Sequence, residues 1–141
     1  MNVRKMRSDD VPMLRCIEQS VLTGRGRLDF SPPREVFVLE SEGTIVGYVA
    51  MHVMVPEAEI LDISVRRQKQ GNGLGKTLMK NVVAHCRQRG VETIHLETAA
   101  GDDHALAFFR SMGFSTIRRR QGYYEDAGDA LAMALDIGGE P

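Results

Sequence analysis

Cysteine is scarce in this chain. Cys16 and Cys86 are the only two among 141 residues, and neither stands in a CxxC pair or beside histidines at ligand spacing. That argues against a disulfide framework and a structural zinc site, and no metal is expected. An excess of charge is also lacking: 18 Lys and Arg against 19 Asp and Glu leave −1. A general nucleic-acid binder would show a basic surplus, so direct nucleic-acid contact is not expected. No apolar stretch approaches the ~18 residues of a membrane span. The opening residues, MNVRK, have no apolar run behind them as a secretory leader would. The expected setting is soluble, reducing and cytoplasmic, without a membrane partner. Repeats, low-complexity tracts and linkers are missing as well. Residues 1–141 therefore read as one domain, and either a monomer or a homodimer is compatible with them.

What is present is an ordinary globular mix, 43% hydrophobic and 26% charged. Residues 3–6 form a short predicted strand. Ser8, Asp9 and Asp10 then offer a helix N-cap, with Pro12 in the first turn and Val11, Leu14, Ile17, Val21 and Leu22 at helical spacing. Residues 23–33 carry two Gly and two Pro and read as a loop. Predicted strands at 36–39 and 44–55 flank a Ser41-Glu42-Gly43 turn and pair as a hairpin. Residues 59–65 are apolar enough for a central strand. A helix follows with Leu74, Leu78, Met79, Val82, Val83 and Cys86 on its apolar stripe and Gly90 at its end. A strand at 93–98 leads to a short helix, capped by Asp102 or Asp103 and closed by Gly113. Strands at 114–118 and 130–135 finish the chain. The order β-α-β-β-β-α-β-α-β-β is a mixed α/β fold with a strand, glycine loop, helix and strand at its middle.

That loop is the part of the sequence most suggestive of chemistry. It runs Gln70-Gly71-Asn72-Gly73-Leu74-Gly75-Lys76, with Arg66, Arg67 and Lys69 just before it. A loop that ends a strand and opens a helix offers free N–H groups and the positive end of the helix dipole, a setting for phosphate. Glycines let an anion approach the backbone. A Walker A loop would need glycine at position 70, which is glutamine. A dinucleotide fingerprint needs GxGxxG, whereas the glycines here fall at 71, 73 and 75. The spacing that remains is QxxGxG.

Gln70-Gly71-Asn72-Gly73-Leu74-Gly75 resembles the acetyl-CoA loop of the GNAT superfamily of N-acetyltransferases. The similarity extends over about residues 34–137. Ile63-Ser64-Val65 looks like the family strand whose backbone holds the pantetheine arm. Phe108 to Phe114 (FFRSMGF) looks like the family's helix end. The pattern Arg119-Arg120, Tyr123-Tyr124, Asp129-Ala130 and Met133-Ala134-Leu135 is similar to the closing segment of bacterial ribosomal-protein alanine acetyltransferases. The resemblance implies the acyl-CoA N-acyltransferase fold, a central mixed sheet that splays open and is flanked by helices. It implies acetyl-CoA as cosubstrate, bound by Ile63, Ser64, Val65, Gln70, Gly71, Asn72, Gly73, Leu74, Gly75 and Lys76, with the pyrophosphate on the amides of 71–76.

Acetyl transfer to an amine needs a base to remove the ammonium proton and a donor for the oxyanion. The thiol leaves with little help, since its pKa is about 8.5. Glu97 lies in an otherwise apolar strand, where partial desolvation suits a carboxylate to proton uptake. The alanine acetyltransferases have their proton acceptor at the matching glutamate. The alternative for Glu97 is a strand carboxylate paired to His95, an arginine or solvent. Glu59 and Asp62 are rival bases, Asp62 more plausibly bonded to nearby backbone or an arginine. The family's tyrosine proton donor falls at Phe109, which keeps the ring without the hydroxyl. That leaves Phe109 for core packing or lining the CoA channel, and Tyr124 as proton donor, substrate contact or packed aromatic. The family asparagine that contacts CoA is Asp102 here, which keeps the acceptor and loses the donor. His52, His85 and His104 are scattered, Cys86 is expected in the core, and 118–120 (RRR) reads as a solvated edge.

The expected activity is acetyl transfer from acetyl-CoA to a primary amine, with a protein N-terminus as the acceptor suggested by the closing segment. The departures at Phe109 and Asp102 favour a small amine instead, such as a polyamine, amino acid or antibiotic. The missing tyrosine alone would suit a non-catalytic CoA-binding module, against which Glu97 and the intact loop both weigh.

Overall fold

The structure, a computed structural model, describes residues 1–20, 30–31, 33–66, 71, 73–124 and 128–138, with backbone only at 18–20, 123 and 124. Most of the 23–33 loop lies outside the described residues. The strands are β1 (Asn2–Lys5), β2 (Glu35–Ser41), β3 (Thr44–Met54), β4 (Glu57–Val65), β5 (Thr93–Ala99), β6 (Ser115–Tyr124) and β7 (Gly128–Asp136). The helices are α1 (Val11–Ser20), α2 (Leu74–Gln88) and α3 (Asp103–Ser111). A 3-10 turn at Ser8–Asp10 leads into α1, where the sequence suggested a cap. Arg4 from β1 fixes that turn through paired bonds to the Asp10 carboxylate, at 2.8 and 3.1 Å. Those bonds, chiefly, hold the Asp10 carboxyl below its ordinary pKa, against the opposing push of burial.

All seven strands join one sheet in the order β1-β2-β3-β4-β5-β7-β6. The expected hairpin of β2 and β3 is present, and β4 is central. Every pairing is antiparallel except β4 with β5. The two last strands run longer than their apolar cores suggest, because each supplies the other with a hydrogen-bonding partner.

The sheet has two faces with different cover. One carries Val49, Met51, Ala58, Ile60, Ile94, Leu96 and Met133 against the stripes of α2 and α3. Leu78, Met79, Val82 and Cys86 of that helix stripe are fully buried or nearly so. Burying each such side chain is worth about 1.5–3 kcal/mol, which holds α2 on the sheet. The other face carries Val36, Val38, Tyr48 and Ala50, covered by Leu14 and Ile17 of α1 and by Phe30. Further along this face lie the groove-lining polar groups described below. Among the described residues no helix is long and apolar enough to cross a membrane.

Candidate functional site

The site begins where the central strands part. β4 and β5 pair only at Glu57↔Thr93, Ala58↔Ile94 and Glu59↔His95. Beyond that, β4 continues to Val65 and β5 to Ala99 without pairing to each other. A bulge marks the point of departure. Ala50 of β3 faces Asp62 while Met51 faces Ile60, so Leu61 is the extra residue. A bulge bends its strand and tightens its twist. It also reverses the alternation, so Ile63 and Val65 join Ala58 and Ile60 on the helix-covered side. Asp62 then turns to the other face. It accepts a hydrogen bond from the buried Tyr48 hydroxyl at 2.6 Å and one from Ser64 at 3.3 Å. The sequence favoured a bonded Asp62 with nearby backbone or an arginine as partner; the structure shows the hydroxyls of Tyr48 and Ser64.

Between the parted strands lies a cleft of about 670 Å³. Ile63, Ser64 and Val65 line one wall, Leu96 to Ala99 the other, and the start of α2 with one side of α3 closes it. At the start of α2, Gly73 is the N-cap with φ +75°, and Gly71 has φ +87°. Side chains are strained in that region, and a Cβ at either position would meet nothing within 4 Å. These two glycines therefore answer to backbone shape and leave open space above the helix end. Gly75 has a different reason: its Cβ would press on the Phe108 ring at 3.3 Å, so its absence lets α3 close on α2. Gly73 supplies no side-chain cap, and the first turn of α2 holds no acid. Lys76 lies in that first turn, and it lines the cleft. A cation at the positive end of a helix opposes the dipole by itself, but the pair suits a bound anion.

A second hollow, of about 360 Å³, lies on the opposite face of the sheet. Its floor is a row across three strands, with His52 opposite Glu59 and Glu59 opposite His95. Glu57 is bonded to His95. Arg118 and Arg120 of β6 form a wall. Leu96 and Glu97 line both hollows, so the Glu97 carboxylate stands where the cleft meets the groove. Its side chain is 20% exposed, and its Oε2 lies 3.3 Å from Nε of Arg120. Of the partners the sequence offered Glu97, the structure shows an arginine, and His95 is engaged by Glu57 instead.

The other candidate residues fall as follows. Leu74 is buried at the helix start and lines the cleft. Phe109 packs in the core on Phe108 and Phe114, at 5.4 and 6.0 Å between ring centres, and also lines the cleft. Asp102 caps α3 by accepting from the Ala105 N–H at 3.0 Å and reaches the edge of the cleft. Gln70 and Asn72 lie outside the described residues, as does the side chain of Tyr124. Arg66, counted with the loop cations, is directed elsewhere. Its guanidinium donates to the Ile45 carbonyl at 3.0 Å and contacts Met13 of α1. The arginines of β6 are not simply solvated: Arg119 pairs with Asp129 at 2.6 Å and Arg120 with Glu97. The histidine row was missed because its members are contributed by three strands. Only the β3–β4–β5 register brings them together.

The sequence profile of the Acetyltransferase (GNAT) family matches residues 4–114. The chain belongs to this family. It is an acetyltransferase, and its seven-stranded splayed sheet is the GNAT fold that the glycine loop implied. The ribosomal protein bS18-alanine N-acetyltransferase of Escherichia coli K12 is 33% identical over 104 residues, covering 72% of this chain and 70% of that one. The N-alpha-acetyltransferase RimI of Mycobacterium tuberculosis is 35% identical over 113 residues, 77% of this chain and 70% of its own length. The crystal structure of the ribosomal-protein-S18-alanine N-acetyltransferase from Escherichia coli superposes with a TM-score of 0.86 at 26% identity. It covers 99% of this GNAT chain and 96% of the other.

Proposed function

We propose that this GNAT enzyme, acting as a single catalytic unit over residues 1–141, acetylates the N-terminal amine of a protein, with Glu97 as general base. The observation that carries the reading is the position of Glu97, shared by a cleft that opens on the N-terminal end of α2 and a groove on the far face of the sheet. Acetyl-CoA would supply the activated acetyl thioester from the cleft. The backbone of Gly71 to Lys76, with Gln70 and Asn72, would hold its diphosphate, and Ile63, Ser64 and Val65 would orient the arm. Asp102 and Phe109 would contact it from α3. The acceptor would approach through the groove, so donor and acceptor meet across Glu97. No step calls for a metal.

Proton arithmetic favours an α-amino group. At pH 7 an α-amine of pKa about 7.7–8.0 gives up its proton for about 1 kcal/mol, whereas a lysine side chain needs roughly 4.5 kcal/mol. A single carboxylate suits the smaller demand. Glu97 takes one proton from the acceptor ammonium. The second proton released in amide formation leaves with the thiol. The side chain of Phe109 has no proton to give, which leaves that role to Tyr124, one of two adjacent phenols near the C-terminus. Relatives named for acetylation of a ribosomal-protein alanine support Ala as the first acceptor residue, and a ribosomal acceptor would mean a cytoplasmic reaction.

The experiment is a panel of peptides beginning with Ala, Ser or Met, set beside spermidine and free amino acids, followed by release of free thiol from acetyl-CoA. The Ala-initial peptides should be the best acceptors. Efficient acetylation of a small amine, with no peptide accepted, would replace this reading by the small-amine one.

A further inference from the structure

The groove-side partner of Glu97 has a consequence for how an amine reaches it. β6 and β7 lose register between Arg120 and Tyr124: Arg120 faces Ala130 and Tyr124 faces Gly128. Three residues of β6 thus stand opposite one of β7. Gly122 turns the excess with φ +63°. The Asp129 carboxylate ties it down by accepting from the Gly122 N–H at 2.8 Å and from Arg119 at 2.6 Å. Arg119 is thereby held by Asp129, while Arg120, its neighbour, lines the groove and reaches Glu97. Arg118 lines the same wall.

We propose that Arg120 is the resident counter-ion of Glu97 and that the acceptor's ammonium group must displace it. The proposal rests on the assignment of Glu97 as base and of the groove as acceptor site. Both cations seek the same carboxylate, and both cannot be its nearest neighbour without repelling each other. Arg120, 42% exposed, has solvent to move into. Once Glu97 has taken the ammonium proton it is neutral and holds neither cation. The acetylated product is an uncharged amide. When Glu97 releases its proton to solvent, Arg120 returns and the product has no charge with which to compete. Arg120 is thus a positioning residue that holds Glu97 between turnovers and makes a cationic acceptor compete for it.

The test uses Arg120→Gln, Arg120→Lys and, as a charge control away from both hollows, Arg87→Gln on the exposed side of α2, with an Ala-initial peptide as substrate. Arg120→Gln should lower KM for the peptide about three- to fivefold, the range of an exposed ion pair, with kcat within about twofold. Arg120→Lys and Arg87→Gln should stay near the parent. Two unreactive probes separate charge from shape. The inhibition constant of the N-trimethylated peptide should tighten with KM in Arg120→Gln, and that of the N-acetylated peptide should not move. Arg120→Met gives the same contrast should the glutamine variant fold poorly. An unchanged KM, or an equal shift for the cationic and neutral probes, overturns the proposal while leaving the acceptor assignment intact. A parent that acetylates none of the Ala-, Ser- or Met-initial peptides overturns both.

Discussion

Glutamate at position 73 would put a negative side chain on the N-cap of α2, at the mouth of the proposed diphosphate cradle. Two costs follow, and they are separable. The first is conformational. Gly73 has φ +75°, which for an L-residue costs roughly 1–2 kcal/mol, and it is paid in stability. No collision adds to it, since a Cβ there meets nothing within 4 Å. The second falls on binding. Charge-assisted bonds to phosphate are worth about 1.5–3 kcal/mol each. Losing two, with some compensation, removes roughly 2–4 kcal/mol, a Kd weakened about 30- to 1,000-fold. Gly73→Ala carries the first cost and little of the second. Calorimetry with acetyl-CoA, beside thermal melts of all three proteins, separates them. The two variants should melt alike, but only the glutamate should lose affinity. Acetyl-pantetheine, which lacks the diphosphate, should bind parent and Gly73→Glu equally. If Gly73→Glu binds acetyl-CoA within about threefold of the parent, the cradle is not at this helix end.

Two further expectations concern the scaffold. Tyr48→Phe removes the hydroxyl of a fully buried side chain that donates to the half-buried Asp62 at 2.6 Å. Loss of a hydrogen bond to a charged group costs about 1.5–3 kcal/mol, a fall in Tm of roughly 5–10 °C. A Tm unchanged within about 2 °C would show that Tyr48 does not anchor the β4 bulge. Asp10 gives a pH signature. Its carboxyl is held below its ordinary value by Arg4, so the stability it contributes is complete above its unfolded pKa of about 4 and lost as pH falls through the lower folded value. Chemical denaturation from pH 6 to pH 2 should show a steeper acid loss in the parent than in Asp10→Asn. Parallel curves would contradict the Arg4–Asp10 linkage.

Element order and the place of the glycine loop were legible because both rest on local signals. Helical spacing marks α2, and glycines at 71, 73 and 75 mark its start. What escaped the sequence depends on register. Strict alternation along β4 would set Asp62 on the same side as Ala58 and Ile60. The extra residue Leu61 turns it to Tyr48 instead. The row of His52, Glu59 and His95 exists only once three strands are paired. The pairing of Arg120 with Glu97 needs a strand from the end of the chain laid beside the middle of the sheet. Each of these is a long-range contact that composition and local spacing do not encode. Arg66 is the converse case: its position just before the loop counted it among the loop's cations, but tertiary contacts with β3 and α1 claim it.

The central claim is that Glu97 takes the acceptor's proton, and Glu97→Gln tests it most directly. The amide keeps the size of the carboxylate and its capacity for hydrogen bonds but accepts no proton. General-base help is worth about 10²–10⁴ in rate. The measurement is steady-state kcat for the best Ala-initial peptide, with the Kd of acetyl-CoA determined on the same preparation. The expected kcat is at least 100-fold lower, with Kd nearly unchanged. A kcat within about threefold of the parent, a barrier change under ~0.7 kcal/mol, would contradict it and pass the role to Glu59 or Asp62.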